Sequence, residues 1–207
     1  MTYRFDFDGT LVDSMPAYAQ NMLRLVNEVG LGDAKDVIKI VTPLGYKGAA
    51  EYLRTIGMEM EIDEFIKTAT TRVAYEYENN IPAKPYVKEK LVELKANGHS
   101  LNVLTASPHS VLDVCLKRLG MFDLFDNVWS CEDFNMTKAD PQIYHEAAKK
   151  LGKKVEECSF IDDNINAVTA AKKANMISIA VYDESSKDFI EEMKAATDRY
   201  IFDFREL

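Results

Sequence analysis

Tyr3-Arg4-Phe5-Asp6-Phe7-Asp8-Gly9-Thr10-Leu11-Val12 opens the chain as a short apolar strand running into a Gly-Thr turn. Side chains alternate along a strand, so Asp6 and Asp8 are expected to leave the same face. Gly9 lets the chain turn sharply just past them. Two aspartates at one strand end can hold a hard cation and attack an electrophile. The same residues also fit a half-buried strand followed by an ordinary Asp-Gly turn. Arg4 is out of place in a central strand, where both faces are usually apolar. Either the strand effectively begins near Phe5, or Arg4 emerges at the lower rim.

Downstream of this stretch the pattern from about Met15 to Asn80 is helical, with Met22-Leu23 and Leu25-Val26 at helix spacing, and Gly30 and Gly32 end the first helix. Pro82 and Pro85 close the segment and mark a linker. From Pro85 onward strands and helices alternate. Strands are expected at Ser100–Thr105, Asn127–Ser130, Ser159–Ile161, Ile177–Val181 and Tyr200–Phe202, and helices at Val87–Asn97, Ser110–Leu119, Pro141–Leu151, Ile165–Ala174 and near Lys187–Ala195. Short connections between such elements imply a parallel sheet with helices on both faces. The fold class is therefore α/β: a Rossmann-like parallel-sheet core (residues 1–14 and 84–207) with an inserted all-helical domain (15–83). In open α/β sheets ligands bind outside the carboxyl ends of the strands. Asp6, Asp8, Thr105, Asp162 and Asp163 all fall at such ends, and this holds without reference to any family.

Composition narrows the partners. No apolar run in the 207 residues approaches the ~18 needed for a membrane span. A basic region followed by an apolar stretch is missing from the N-terminus and Met1 lies almost at the first strand, so no signal or transit segment is expected and the cytoplasm is favoured. The net charge of −9, without a basic stripe, speaks against nucleic acid. It leaves room for a small phosphorylated ligand, because anion sites are local. Cys115, Cys131 and Cys158 are odd in number and widely spaced, and read as buried, inert thiols.

Asp6-Phe7-Asp8-Gly9-Thr10-Leu11-Val12-Asp13-Ser14 resembles the opening motif of the haloacid dehalogenase-like phosphohydrolases. Thr105 in Leu104-Thr105-Ala106-Ser107, Lys138 in Thr137-Lys138-Ala139-Asp140-Pro141-Gln142-Ile143-Tyr144, and Asp162-Asp163-Asn164 match the later motifs in order. Ala139 stands where the family usually has a Pro. The resemblance covers nearly the whole chain and points to the β-phosphoglucomutase and phosphoglycolate phosphatase-like group, whose cap is helical.

The resemblance implies a role for each position. Asp6 is the nucleophile and Asp8 the general acid/base. A second Asp at position 8 points to phosphate esters rather than to the dehalogenase branch. Thr105, helped by the Ala106 N–H, holds the transferring phosphoryl group, and Lys138 relieves charge repulsion at Asp6. Taken alone, Thr105 also fits a strand-end cap, and Asp162-Asp163 an N-cap. In the family's terms, Mg²⁺ is held by Asp6, the Asp8 carbonyl and Asp163, with Asp162 binding directly or through water. The inserted helices form a cap. Within it Thr42–Gly48, with Gly45, Tyr46 and Lys47, reads as a specificity loop or as an ordinary interhelical turn. Arg54 and Arg72 read as solvated helix positions. His109 is placed at the pocket rim, whereas His99 and His145 look structural.

The expected function is a Mg²⁺-dependent phosphatase for a small phosphorylated metabolite, acting through an aspartyl-phosphate. The alternatives are a phosphosugar mutase and a non-catalytic binding protein on the same scaffold. Mutases of this group carry a His in the first cap helix where this chain has Tyr18, which favours hydrolysis. The substrate and the oligomeric state stay open.

Overall fold

A computed structural model describes residues 1–31, 37, 40–41 and 44–207. They form two compact units: Met1–Asp13 with Pro82–Leu207, and Ser14–Ile81.

The first unit carries a six-stranded sheet. Its strands are β1 (Thr2–Phe5), β2 (Ser100–Thr105), β3 (Asn127–Ser130), β4 (Cys158–Asp162), β5 (Ile177–Val181) and β6 (Arg199–Ile201). Their order is β3-β2-β1-β4-β5-β6, and every pairing is parallel. The helices of this unit are α4 (Val87–Ala96), α5 (His109–Arg118), α6 (Gln142–Lys150), α7 (Ile165–Lys173) and α8 (Ile190–Ala196). They supply the crossovers that parallel strands require. The helix expected from Lys187 starts later, because Glu184–Phe189 forms a 3₁₀ segment capped by Asp183.

Alternation along β1 sorts its residues between two packed layers. Tyr3 and Phe5 stack on one face, where Phe5 meets Phe125 and Phe204 with ring centroids 6.3 and 6.0 Å away. On the other side α6 and α7 bury Ile143, Tyr144, Ala147, Ala167 and Ala171 around Phe160. Arg4 belongs to β1 and is fully buried, so both expectations for it are corrected. The strand begins at Thr2, and the parallel neighbours β2 and β4 cover Arg4 from both sides. Its Nη1 reaches Met176 Sδ at 3.8 Å.

The second unit has helices α1 (Met15–Glu28), α2 (Gly45–Thr55) and α3 (Ile62–Asn79). Met22, Leu25 and Val26 recur at helical spacing on α1 and bury against Ala49, Ala50, Leu53, Phe65 and Ala69. Among the described residues no helix is long and apolar enough to cross a membrane.

Candidate active site

Strand register sets the site. Phe5 lies beside Val103 and Ile161, so Asp6, Thr105 and Asp162 come to the same edge of the sheet. Asp6 donates its N–H to the Ile161 carbonyl at 2.9 Å. Its carboxylate joins those of Asp162 and Asp163, each offering an oxygen within 4.8 Å of the others. All three residues are buried.

β1 runs to Phe5, and Asp6 adds one more hydrogen bond to β4, so Asp8 lies past the end of the strand. The Leu11 and Val12 N–H groups both donate to the Phe7 carbonyl, and Gly9 N–H donates to Val12 O, which closes a tight loop. Asp8 sits in that loop, and its Oδ2 accepts a short hydrogen bond from Ser107 Oγ. Gly9 has φ +73°, and a Cβ there would lie 2.5 Å from Asp163 Oδ2. Only glycine lets the loop backbone lie against that carboxylate. Thr10 Oγ1 donates to Asp163 Oδ1 at 3.0 Å.

Lys138 supplies the positive charge. Its Nζ lies 2.6 Å from Asp6 Oδ1 and 2.7 Å from Asp162 Oδ2, with the side chain 14% exposed. Burial alone would lower its pKa. Asp162 and Asp6 outweigh burial and hold its pKa well above the ordinary lysine value. Burial, then the charge of Asp6, pushes the Asp162 carboxyl up to about 7. Burial and the neighbouring Asp162 and Asp6 push Asp163 well above the ordinary range. Three buried carboxyls crowded beside one ammonium form a set of hard oxygen donors that could hold a metal ion.

The side chains that orient these groups are also in place. Asp162 Oδ1 accepts the Asn164 N–H at 2.7 Å, and Asn164 rather than an aspartate caps α7, accepting from Asn166 N–H at 2.9 Å. Thr105 is buried, and its Oγ1 accepts the Ser107 N–H at 3.1 Å, which leaves the hydroxyl proton to donate elsewhere. Ala106 follows it, exposed at the strand end. Where Ala139 replaces the family's Pro, the Lys138 backbone is tethered by Tyr144. That hydroxyl lies 2.8 Å from Lys138 O and 2.9 Å from Ala167 O.

The model of the haloacid dehalogenase-like hydrolase family matches residues 3–181. The chain belongs to that family. Hexitol phosphatase B of Escherichia coli (strain K12) is 29% identical over 181 residues, 86% of this chain and 81% of that protein. Phosphoglycolate phosphatase of Colwellia psychrerythraea (strain 34H) is 29% identical over 191 residues, covering 86% of this chain and 82% of that one. The crystal structure of a family hydrolase from Deinococcus radiodurans R1, with bound phosphate and sodium, has a TM-score of 0.80 at 22% identity. It covers 99% of this chain and 92% of its own.

In this hydrolase the remaining sequence candidates have local surroundings of their own. Gly45, Tyr46, Lys47 and Gly48 form the first turns of α2 rather than a loop, because the helical spacing of Ala49, Ala50 and Leu53 extends back through them. Thr42, Pro43 and Gly32 lie outside the described residues. Tyr46 stacks on Tyr18 with ring centroids 4.7 Å apart, and its hydroxyl accepts from Asn21 Nδ2 at 2.9 Å. Lys47 is exposed. His109 is held at 3.0 Å from both Asp113 and Asp133, whose hydrogen bonds raise its pKa. It is a clamp between two carboxylates. Arg54 is more than solvated: its Nη1 holds the Met58 and Glu59 carbonyls at 3.1 and 2.8 Å. Arg72 pairs with Glu28 at 2.8 Å. The three cysteines are free and buried. Sequence reading assigned no role to Thr10, Ser107, Asn164 or Tyr144. Each lies inside or within two residues of a matched motif, and that proximity was the available signal.

Proposed function

We propose that this hydrolase is a phosphatase that removes the phosphoryl group from a small phosphorylated metabolite through an aspartyl-phosphate at Asp6. The observation that carries the proposal is the convergence of Asp6, Asp162, Asp163 and Lys138 at one sheet edge, beside Asp8 and Thr105. An Asp6 oxygen attacks phosphorus and the bond to the leaving oxygen breaks. Asp8 gives its proton to that leaving alkoxide. The Asp8 carboxylate then takes a proton from water, whose oxygen attacks the same phosphorus and frees Asp6. Lys138 and the Thr105 hydroxyl hold the phosphoryl oxygens as charge moves onto them. Asp6, the Asp8 carbonyl and Asp163 are the ligands proposed for Mg²⁺. Asp162, whose oxygens accept from Lys138 and from Asn164 N–H, binds the cation directly or through water. When bound, the cation offsets the repulsion between carboxylate and anionic phosphate.

Tyr18 supports hydrolysis over mutase chemistry. Burial pushes its phenol up to about 12, which disfavours the charged form further. The 29% identical relatives named above are phosphatases for a hexitol phosphate and for phosphoglycolate, in keeping with a small polar ester. The test is phosphate release from a panel of phosphorylated metabolites, with Mg²⁺ and with chelator, by the wild type and Asp6→Asn. Mg²⁺-dependent release that vanishes in the variant is expected. Full activity in Asp6→Asn would remove the nucleophile, and isomerisation of a hexose phosphate without release would install the mutase.

A further inference from the structure

Lys84 is a largely buried cation near the carboxylate cluster, and the proposed chemistry gives it no task. Its position is fixed by the backbone where the chain returns to the sheet-bearing unit. Asp13 N–H donates to Pro82 O and Lys84 N–H to Leu11 O, both at 3.0 Å, and Val12 bridges Ala83 in antiparallel fashion. The side chain is therefore delivered beside the loop that holds Asp8, Gly9 and Thr10.

All three donors of the ammonium are used. Nζ donates to Gly9 O at 2.6 Å, to Tyr182 O at 2.7 Å and to Asp183 Oδ2 at 2.9 Å. The Lys84 side chain is 15% exposed and that of Asp183 5%. Asp183 is itself fixed, its Oδ1 accepting from Ser185 N–H and Oγ at 2.9 and 2.6 Å. A buried ion pair of this kind adds little net stability, because desolvation offsets the Coulomb gain. What it does supply is geometry, since three acceptors from separate segments fix one point in space.

That point is the Gly9 peptide. Lys84 grips its carbonyl, while the Gly9 α-carbon lies against the Asp163 carboxylate so closely that no Cβ fits between them. Asp8 and Thr10 are its chain neighbours, and Thr10 holds Asp163 Oδ1. Slack at the Gly9 carbonyl thus reaches the proposed general acid and a proposed metal ligand together, without touching Asp6 or Lys138.

We infer that Lys84, braced by Asp183, is a positioning residue: it clamps the Gly9 peptide and so holds the Asp8 loop against Asp163. The inference about turnover rests on the phosphatase reading, whereas the inference about loop order does not. Lys84→Met keeps the aliphatic stem and removes the donors, and Asp183→Asn removes the charged brace. Amide hydrogen exchange over residues 8–12 of the metal-free protein reads the clamp directly. It is expected to be at least about 10-fold faster in Lys84→Met, with strands β4 and β5 unchanged. In steady state kcat should fall about 10–100-fold with KM held within about 3-fold, the size of effect seen when a group supporting a ligand is lost. Wild-type exchange in a folded Lys84→Met overturns the proposal. So does faster exchange accompanied by unchanged kcat. If Lys84→Met does not fold, Asp183→Asn decides on the same two readouts. A wild type that releases no phosphate would sink the phosphatase reading, while the exchange data would still judge the clamp.

Discussion

Replacing Arg4 with Met should make the sheet-bearing unit more stable. Arg4 is 0% exposed in β1, between β2 and β4. Among the described residues its Nε and Nη2 find no geometric hydrogen-bond partner; Nη1 reaches the thioether of Met176 at 3.8 Å, and the Cys158 sulfur is the other polar group beside the guanidinium. Burial pushes the pKa of the guanidinium down, and the Cys158 thiol beside it works the other way. A buried donor left unsatisfied costs about 1–3 kcal/mol. Exchanging buried ionic groups for packed apolar ones commonly gains about 1–4 kcal/mol. Met is unbranched and adaptable, and here it would lie against Met176 in the Phe160 cluster, so little cavity should form. The two ranges together give a gain of ~2–4 kcal/mol. At ~2–4 °C per kcal/mol for a chain of this size, the midpoint should rise by roughly 5–15 °C. Trp129, the sole tryptophan, lies in β3 and reports this unit alone when a melt is followed by fluorescence. Arg4→Lys, which keeps the charge, is the control and should not gain. A lower midpoint for Arg4→Met would refute the reasoning and show that the guanidinium charge is compensated within the fold.

Three further outcomes test the site. Gly9→Ala should abolish turnover and cost about 1–3 kcal/mol in a melt, because φ is +73° and the new Cβ meets Asp163; an active Gly9→Ala would show that the loop gives way. Thr105→Val keeps the shape, removes the hydroxyl donor and should lower kcat about 10²-fold or more with the fold intact; near-wild-type turnover would reassign Thr105 to strand-end capping. The folded Asp162 carboxyl is raised to about 7 from an ordinary 3.8, so between those values the metal-free native state holds a proton that the unfolded chain has released. Stability should therefore fall as pH rises through that window, and Asp162→Asn should make the slope shallower in melts at pH 4.5–7.5, with Asp163 supplying what remains. A slope unchanged by Asp162→Asn would place the titration elsewhere.

Much of this was legible in the sequence because its signals are local. Ile177–Val181 reads as a strand from five consecutive apolar or small residues, and the helical spacing of Met22, Leu25 and Val26 marks α1. The chemistry-bearing positions fell at strand ends, where order along the chain and parallel topology already bring side chains to one edge. What escaped depended on contacts between distant segments. Lys84 becomes meaningful only once Tyr182 and Asp183 are seen beside Gly9. The hydrogen bond from Ser107 to the Asp8 carboxylate likewise joins segments about a hundred residues apart. Gly45–Gly48 looked like a loop because two glycines weaken helix propensity, which tertiary burial of Ala49, Ala50 and Leu53 overrides.

The central place of β1 has a consequence for biosynthesis. Of the six strands of this sheet it is the first to leave the ribosome, yet its partners start only at Ser100 and Cys158. Until both have emerged, an apolar segment carrying Phe5 and Phe7 waits without a ladder. The helical unit, residues 14–81, is a compact unit of its own and can form in the meantime. Long-range parallel pairing makes completion of the sheet the slow step. The proposed nucleophile Asp6, held by its N–H to Ile161, would then reach its place only after β4 has emerged, so nascent chains shorter than β4 should bind neither metal nor substrate.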